Sequence, residues 1–264
     1  MAESSGRGDS RIAREPHPCV AGRVALVGEL VVSLIPLVLG VVMSPLAIMA
    51  LVAVLVSKRA RANGTAYLVG WAVALVATLG VSFTVFGFLE LHLQRDPPLW
   101  AVLVRLLIAL LLILAAVWVY RRGRARAREM AKAVTPSDVV AAAPQLPGWL
   151  RAVDEFTPTR SLLLGFAIFA LNPVDVSCAV LAMLDVRGAE VSPATAATLI
   201  VAFAVIGIVP IAAPVFYTLV KGEAADPLLE RVRSWIAGHT SVLNAGLLVL
   251  IGAMQLQKAL SALL

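Results

Sequence analysis

The chain has 264 residues, 60% hydrophobic and only 14% charged, with mean hydropathy +0.92 and a formal net charge of +6. A soluble domain carries about 25% charge; here the charges gather in a tail and in loops, leaving runs of roughly 20 or more residues nearly free of them. The composition therefore excludes an ordinary soluble domain, and the lack of aromatic-basic interleaving excludes a nucleic-acid surface.

Residues 1–24 read as a disordered polar tail. The tail is not a signal peptide, because the apolar run after it begins too late and continues too long. Six apolar spans follow, at about 25–57, 66–89, 99–120, 161–185, 193–220 and 241–263. The first would reach about 50 Å as a straight helix, well beyond a roughly 30 Å hydrocarbon core. Pro36 and Pro45 are the places for it to bend. Segment 121–160 is basic and proline-containing. Its start, Arg121 to Lys132, can continue the third helix, and the remainder reads as a cytoplasmic linker. Near 225–239, Leu228, Leu229, Val232, Trp235 and Ile236 share one helical face, which predicts an amphipathic helix at the membrane interface.

Basic residues set the expected orientation. Lys58, Arg59 and Arg61, the series from Arg121 to Arg160, and Lys221, Arg231 and Arg233 lie in alternate loops; the opposite loops hold only Arg95 and Arg187. The positive-inside rule places the first set in the cytoplasm and both termini outside. The tail arginines Arg7, Arg11, Arg14 and Arg23 pull the other way, and an odd number of spans is the alternative. The expected fold is an all-α plasma-membrane protein of six transmembrane helices. Residues 25–120 and 161–264 would form two inverted three-helix repeats.

Two dipeptides break these spans. Ser44-Pro45 and Asn172-Pro173 each pair a small polar residue with a proline in mid-span. A proline in a helix removes a backbone hydrogen bond, and in lipid the freed groups must be buried in protein or line a cavity. Matched breaks in the first and fourth helices are the signature of a transporter with repeated halves; simple kinks are the plainer alternative. Asp175 follows the second break near mid-bilayer. A carboxylate there costs on the order of 2.5–3.5 kcal/mol on insertion scales. It is either a proton- or cation-responsive group or a structural hydrogen-bonding one. Arg105, early in span three, either snorkels to the outer surface, pairs with Asp175 or meets an anionic headgroup. Asn244, Gln255 and Gln257 suit interhelical hydrogen bonds, and Gly70, Ala74, Ala77 and Gly80 form a small-residue stripe for helix packing.

No enzyme constellation is visible, and neither a cofactor nor a metal is expected: His17, His92 and His239 lie far apart, with no phosphate loop or nucleophile elbow. Asn63-Gly64-Thr65 matches a glycosylation sequon but falls on the cytoplasmic side. A thiol relay would need a reactive cysteine in each half; aligning the two breaks puts Ala50 opposite Cys178, and Cys19 lies in the tail, so Cys178 reads as a packing residue.

Several stretches resemble the GAP/Sap family of membrane proteins that address glycopeptidolipid and sulfolipid to the cell surface, which looks like part of the LysE-type exporter superfamily. They are Gly40–Ile48, Arg61–Trp71, Phe156–Leu164, Leu171-Asn172-Pro173, Pro210–Pro214 and Lys221–Ala224, with Gly252 and Lys258 in the last span. The family often carries a basic and an amide residue just after Asn-Pro, where this chain has Val174 and Asp175. Any role of that lysine does not carry over. The resemblance implies export, or assisted export, of an envelope lipid or glycolipid. Membrane lipid, a larger lipid transporter and a second copy of the chain are the expected partners. The alternatives are an ion-coupled exporter of a small solute such as an amino acid, and a non-transporting scaffold for a lipid-transport complex.

Overall fold

The computed structural model describes residues 18–57, 59–90, 99–132, 156–189 and 191–261, and these contain helices and no strand. In chain order the helices are α1 (Pro18–Val42), α2 (Pro45–Leu55), α3 (Ala60–Glu90), α4 (Leu99–Lys132), α5 (Pro158–Ala170), α6 (Pro173–Gly188), α7 (Pro193–Lys221) and α8 (Asp226–Ser261). A 3₁₀ turn, Gly222–Ala225, joins the last two.

Helices α2, α5, α6 and α7 each open on a proline behind a polar N-cap: Ser44, Thr157, Asn172 and Ser192. Proline suits the first helical position, where its missing N–H would be unpaired anyway. Three of the caps work in the ordinary way. Thr157, Asn172 and Ser192 accept hydrogen bonds from the backbone N–H groups of Arg160, Val174 and Thr195. Ser44 makes no such bond; its hydroxyl is used elsewhere. By contrast, Pro36 in α1 and Pro210 and Pro214 in α7 sit inside uninterrupted helices.

Both expected breaks are present, with one backbone pattern. At the first, the N–H of Met43 donates to Leu39, Ser44 to Val41 and Ile48 to Ser44; at the second, Leu171 donates to Ala167, Asn172 to Phe169 and Val176 to Asn172. Ser44 (φ −67°, ψ 100°) and Asn172 (φ −84°, ψ 108°) share the extended conformation that turns the chain.

The two most extensive helix pairings are α3 with α5 and α4 with α8. In the first, a Cβ on Gly70 would collide with the Leu162 carbonyl, and one on Gly165 with the Tyr67 carbonyl. Only glycine lets the two backbones approach so closely. Trp71 meets Phe169 edge-on, with ring centroids 5.0 Å apart. Of the small-residue stripe on α3, Gly70 faces this contact and Ala74 is buried, while Ala77 and Gly80 are exposed. Gly252 of α8 similarly packs on Ile113 and the Ala109 carbonyl of α4.

The structure corrects two expectations. Helix α1 begins at Pro18, inside the stretch assigned to the tail, because one arginine at position 23 does not stop a helix. The segment near 225–239 is not a separate interfacial helix: α8 runs unbroken from Asp226 to Ser261. No proline follows Pro227 in it, and an interior glycine such as Gly238 costs only about 1 kcal/mol. Among the described residues there are four to five candidate spans. Ala25–Val42, Ala60–Leu89, Leu99–Ala125 and Pro193–Lys221 are each long and apolar enough to cross a membrane, and the pair α5–α6, bent by 65°, makes a fifth if counted as one span. Ala245–Ser261, the apolar part of α8, is at the short end for a roughly 30 Å core.

Candidate functional site

The two breaks touch. Ser44 Oγ donates to Asp175 Oδ2 at 2.9 Å, and Asn172 Nδ2 reaches the same oxygen at 2.7 Å and Ser44 Oγ at 3.2 Å. Asn172 thus has two roles: its carbonyl oxygen caps α6 while its amide group holds the carboxylate. Asp175 is 0% exposed, and its second oxygen, Oδ1, makes no hydrogen bond within the protein. Tyr67 of α3 donates to the Ala47 carbonyl in the first turn of α2, at 2.9 Å. Cys178, one turn beyond Asp175, is buried and lies against Gly40 of α1, so its small side chain fills the crossing of the two helices.

The sequence reading singled out Ser44, Asn172 and Asp175, and the structure brings all three together. Pro45 and Pro173 are the residues that open α2 and α6. Arg105 belongs elsewhere. Its Nη1 lies 2.7 Å from Asp185 Oδ1 and 2.8 Å from Gln255 Oε1. Lys258 Nζ lies 2.6 Å from Asp185 Oδ2, and Ser33 Oγ donates to the same oxygen at 3.0 Å. Arg105 therefore pairs with Asp185, not Asp175, because it enters the bundle a few turns away, level with the end of α6. This second cluster ties α1, α4, α6 and α8 together beside a cavity of about 740 Å³ that Glu29 and Gln257 also line. Gln255 is buried and bonds between helices as expected; the side chain of Asn244 lies outside the described residues.

Sequence reasoning missed Asp185, Ser33 and Tyr67. Asp185 was taken as the end of a span. The signal was its spacing from Asp175, about 15 Å along one helix, which left a second acid within the apolar segment. The sequon asparagine, Asn63, is 1% exposed; its amide donates to the Phe156 carbonyl at 2.9 Å and to Ser57 at 3.2 Å, so it locks the bundle and offers no glycan site. Among the described residues, no group of three His, Cys, Asp or Glu side chains is placed to hold a metal.

A multi-pass α-helical membrane protein with two buried polar clusters joined by a broken helix is the class these observations define. A family model described as "Sap, sulfolipid-1-addressing protein" matches residues 34–261, and the chain belongs to that family. The match takes in both breaks, Asp175, Asp185 and Lys258. Neither the curated proteins nor the solved structures compared with the chain give a match.

Proposed function

We propose that this protein exports, or assists the export of, an envelope lipid or glycolipid across the plasma membrane, by a non-enzymatic rearrangement of the paired helix breaks. The observation that carries the reading is the direct bonding of one break to the other through Ser44, Asn172 and Asp175. Such a junction can be made or released without unfolding either helix, because the half-helix ends are already present. Membership of the sulfolipid-addressing family supports a lipid as the substrate class.

The proposed architecture is six spans in two inverted repeats, with α1–α4 matching α5–α8. Three facts support it. The breaks share one hydrogen-bond pattern. Contacts occur in exchanged pairs: α1 meets α6 and α7, as α5 meets α2 and α3. Along α1 and into the break after it, Ser33, Gly40 and Ser44 meet Asp185, Cys178 and Asp175 in descending order, so the two broken helices run oppositely. With the basic loops inside, the Asp185 cluster faces the extracytoplasmic side.

A second reading is favoured by one observation, the unbonded Oδ1 of Asp175. It is an ion-coupled exporter of a small solute, with Asp175 as the coupling group. Deleting the gene and profiling surface lipids separates the two. The lipid reading expects one class of envelope lipid to disappear from the surface and to return on complementation. An unchanged lipid profile with altered amino-acid efflux would replace it with the second.

A further inference from the structure

At the end of the bundle opposite Asp185, a cavity of about 910 Å³ opens between the α2–α3 turn and the last turn of α7. Arg59, Arg61 and Lys221 line it, with Ser57, Val56 and Thr218. Among the described residues no carboxylate lines it and none pairs with the three cations; the side chain of Glu223, between the lining residues Gly222 and Ala224, lies outside the described residues. This contrasts with the Asp185 end, where both lining cations are matched by an acid.

The cations are not explained by helix stability. Arg59 and Arg61 sit at the start of α3, the positive end of the helix dipole, where acidic residues are favoured; the first turn of α3 contains none. Two guanidinium groups and a helix N-terminus instead concentrate positive potential on one spot, the arrangement that binds phosphate-like anions.

The surroundings hold this spot in place. Ser57 Oγ donates to the Val54 carbonyl at 2.7 Å, and Asn63 ties Ser57 to the Phe156 carbonyl. Gly222 adopts φ +60°, which favours glycine, and a Cβ there would press on the Arg61 guanidinium at 3.3 Å. Beside the cations, the lining residue Val56 is an exposed apolar side chain.

The geometry points to this cavity as a docking site for an anionic amphiphile: a phosphate or sulfate headgroup held by Arg59, Arg61 and Lys221, with its apolar chain leaving along the exposed Val56. The assignment to the loading side of an export route rests on the function proposed above; the binding itself does not.

The test uses the purified full chain, loaded with phosphatidylglycerol or phosphatidylcholine and read by native mass spectrometry. The wild type should retain the anionic lipid preferentially. Arg59→Gln, Arg61→Gln and Lys221→Gln combined should cut that preference by about fivefold or more, the effect of even one basic contact near a membrane surface. Arg121→Gln with Arg122→Gln removes basic charge from the exposed end of α4 and should leave it unchanged. Equal loss in both variants, or none in the first, overturns the site. Arg59→Lys with Arg61→Lys keeps the charge and should keep the preference even if the glutamine variant folds poorly; its loss also counts against the proposal. Inorganic sulfate added to the phosphatidylcholine-loaded chain should give no thermal shift. A shift that the glutamine variant lacks would make the cavity a free-anion site and overturn the amphiphile. Because the readout is lipid retention, its failure leaves the export reading standing, and that reading falls only to the surface-lipid profile.

Discussion

Asp175 and Asp185 lie on the same helix and are compensated in opposite ways. Neutral donors from Ser44 and Asn172 hold the first; Arg105 and Lys258 hold the second. The difference sets what each substitution does. Asn at 175 keeps an acceptor for both donors and removes only the ionisable group, so Asp175→Asn should fold with a thermal midpoint near that of the wild type. On the ion-coupled reading, the same variant loses gradient-driven efflux in vesicles; retained efflux would remove Asp175 from the coupling. Asp185→Asn leaves two cations facing a neutral amide. Removing the shared acid of this partly buried cluster, whose Arg105 and Lys258 side chains are 16% and 33% exposed, costs about 1–3 kcal/mol, which should appear as a drop in thermal midpoint larger than that of Asp175→Asn. Asp175 could be found from sequence because it sits beside a proline inside an apolar run. Asp185 left only the signal of a second acid in the same apolar segment; its role was not legible, because its partners come from residues far away in the chain, and only packing brings Ser33, Arg105 and Lys258 to it.

The elements were legible to different degrees, for one physical reason. Where a proline follows a polar residue in an apolar run, local sterics dictate the outcome, and both breaks fall where the sequence puts them. Where no proline intervenes, as across 226–261, an amphipathic stretch and an apolar stretch join in one helix, and composition alone suggests a boundary that the backbone lacks. The small-residue stripe on α3 was half legible. Spacing identifies Gly70, but its partner Gly165 is known only from the contact. At that crossing each glycine faces the other helix's backbone, which cannot move aside as a flexible side chain can. Gly70→Ala or Gly165→Ala should therefore push α3 and α5 apart and lower stability by about 1–3 kcal/mol, measured by thermal unfolding in detergent. Gly80→Ala, on the same helix with nothing within 4 Å of its would-be Cβ, serves as the control and should not destabilise. Intrinsic propensity favours alanine at both positions, so equal effects at positions 70 and 80 would mean that the close approach does not set the cost.

For the molecule as a whole, the open question of topology is whether α5 and α6 cross the membrane or turn back. Their break bends the axis by 65°. With 13 and 16 residues at 1.5 Å each, the outer ends stay about 37 Å apart, more than a roughly 30 Å core requires. The partners along α3 agree. Asn63 bonds the Phe156 carbonyl, Gly70 meets Leu162, Trp71 meets Phe169, and the Phe83 carbonyl accepts from Arg187 at 3.1 Å. The order ascends on both sides, so the bent pair accompanies α3 in parallel over most of its length, and α3 is long and apolar enough to span. A re-entrant hairpin would bring Arg187 back towards Asn63. The prediction is that positions 121 and 194, on either side of the pair, face opposite sides of the membrane. In a Cys19→Ser background, where buried Cys178 is shielded, Ala194→Cys should react with a membrane-impermeant maleimide in intact cells. Arg121→Cys should react only after permeabilisation. Labelling of both from one side would make α5–α6 a re-entrant pair, and the inverted repeat would fall with it. The reverse pattern, with 121 outside, would keep the repeat and turn the molecule over, placing the Asp185 cluster in the cytoplasm and the cavity of Arg59, Arg61 and Lys221 at the outer surface.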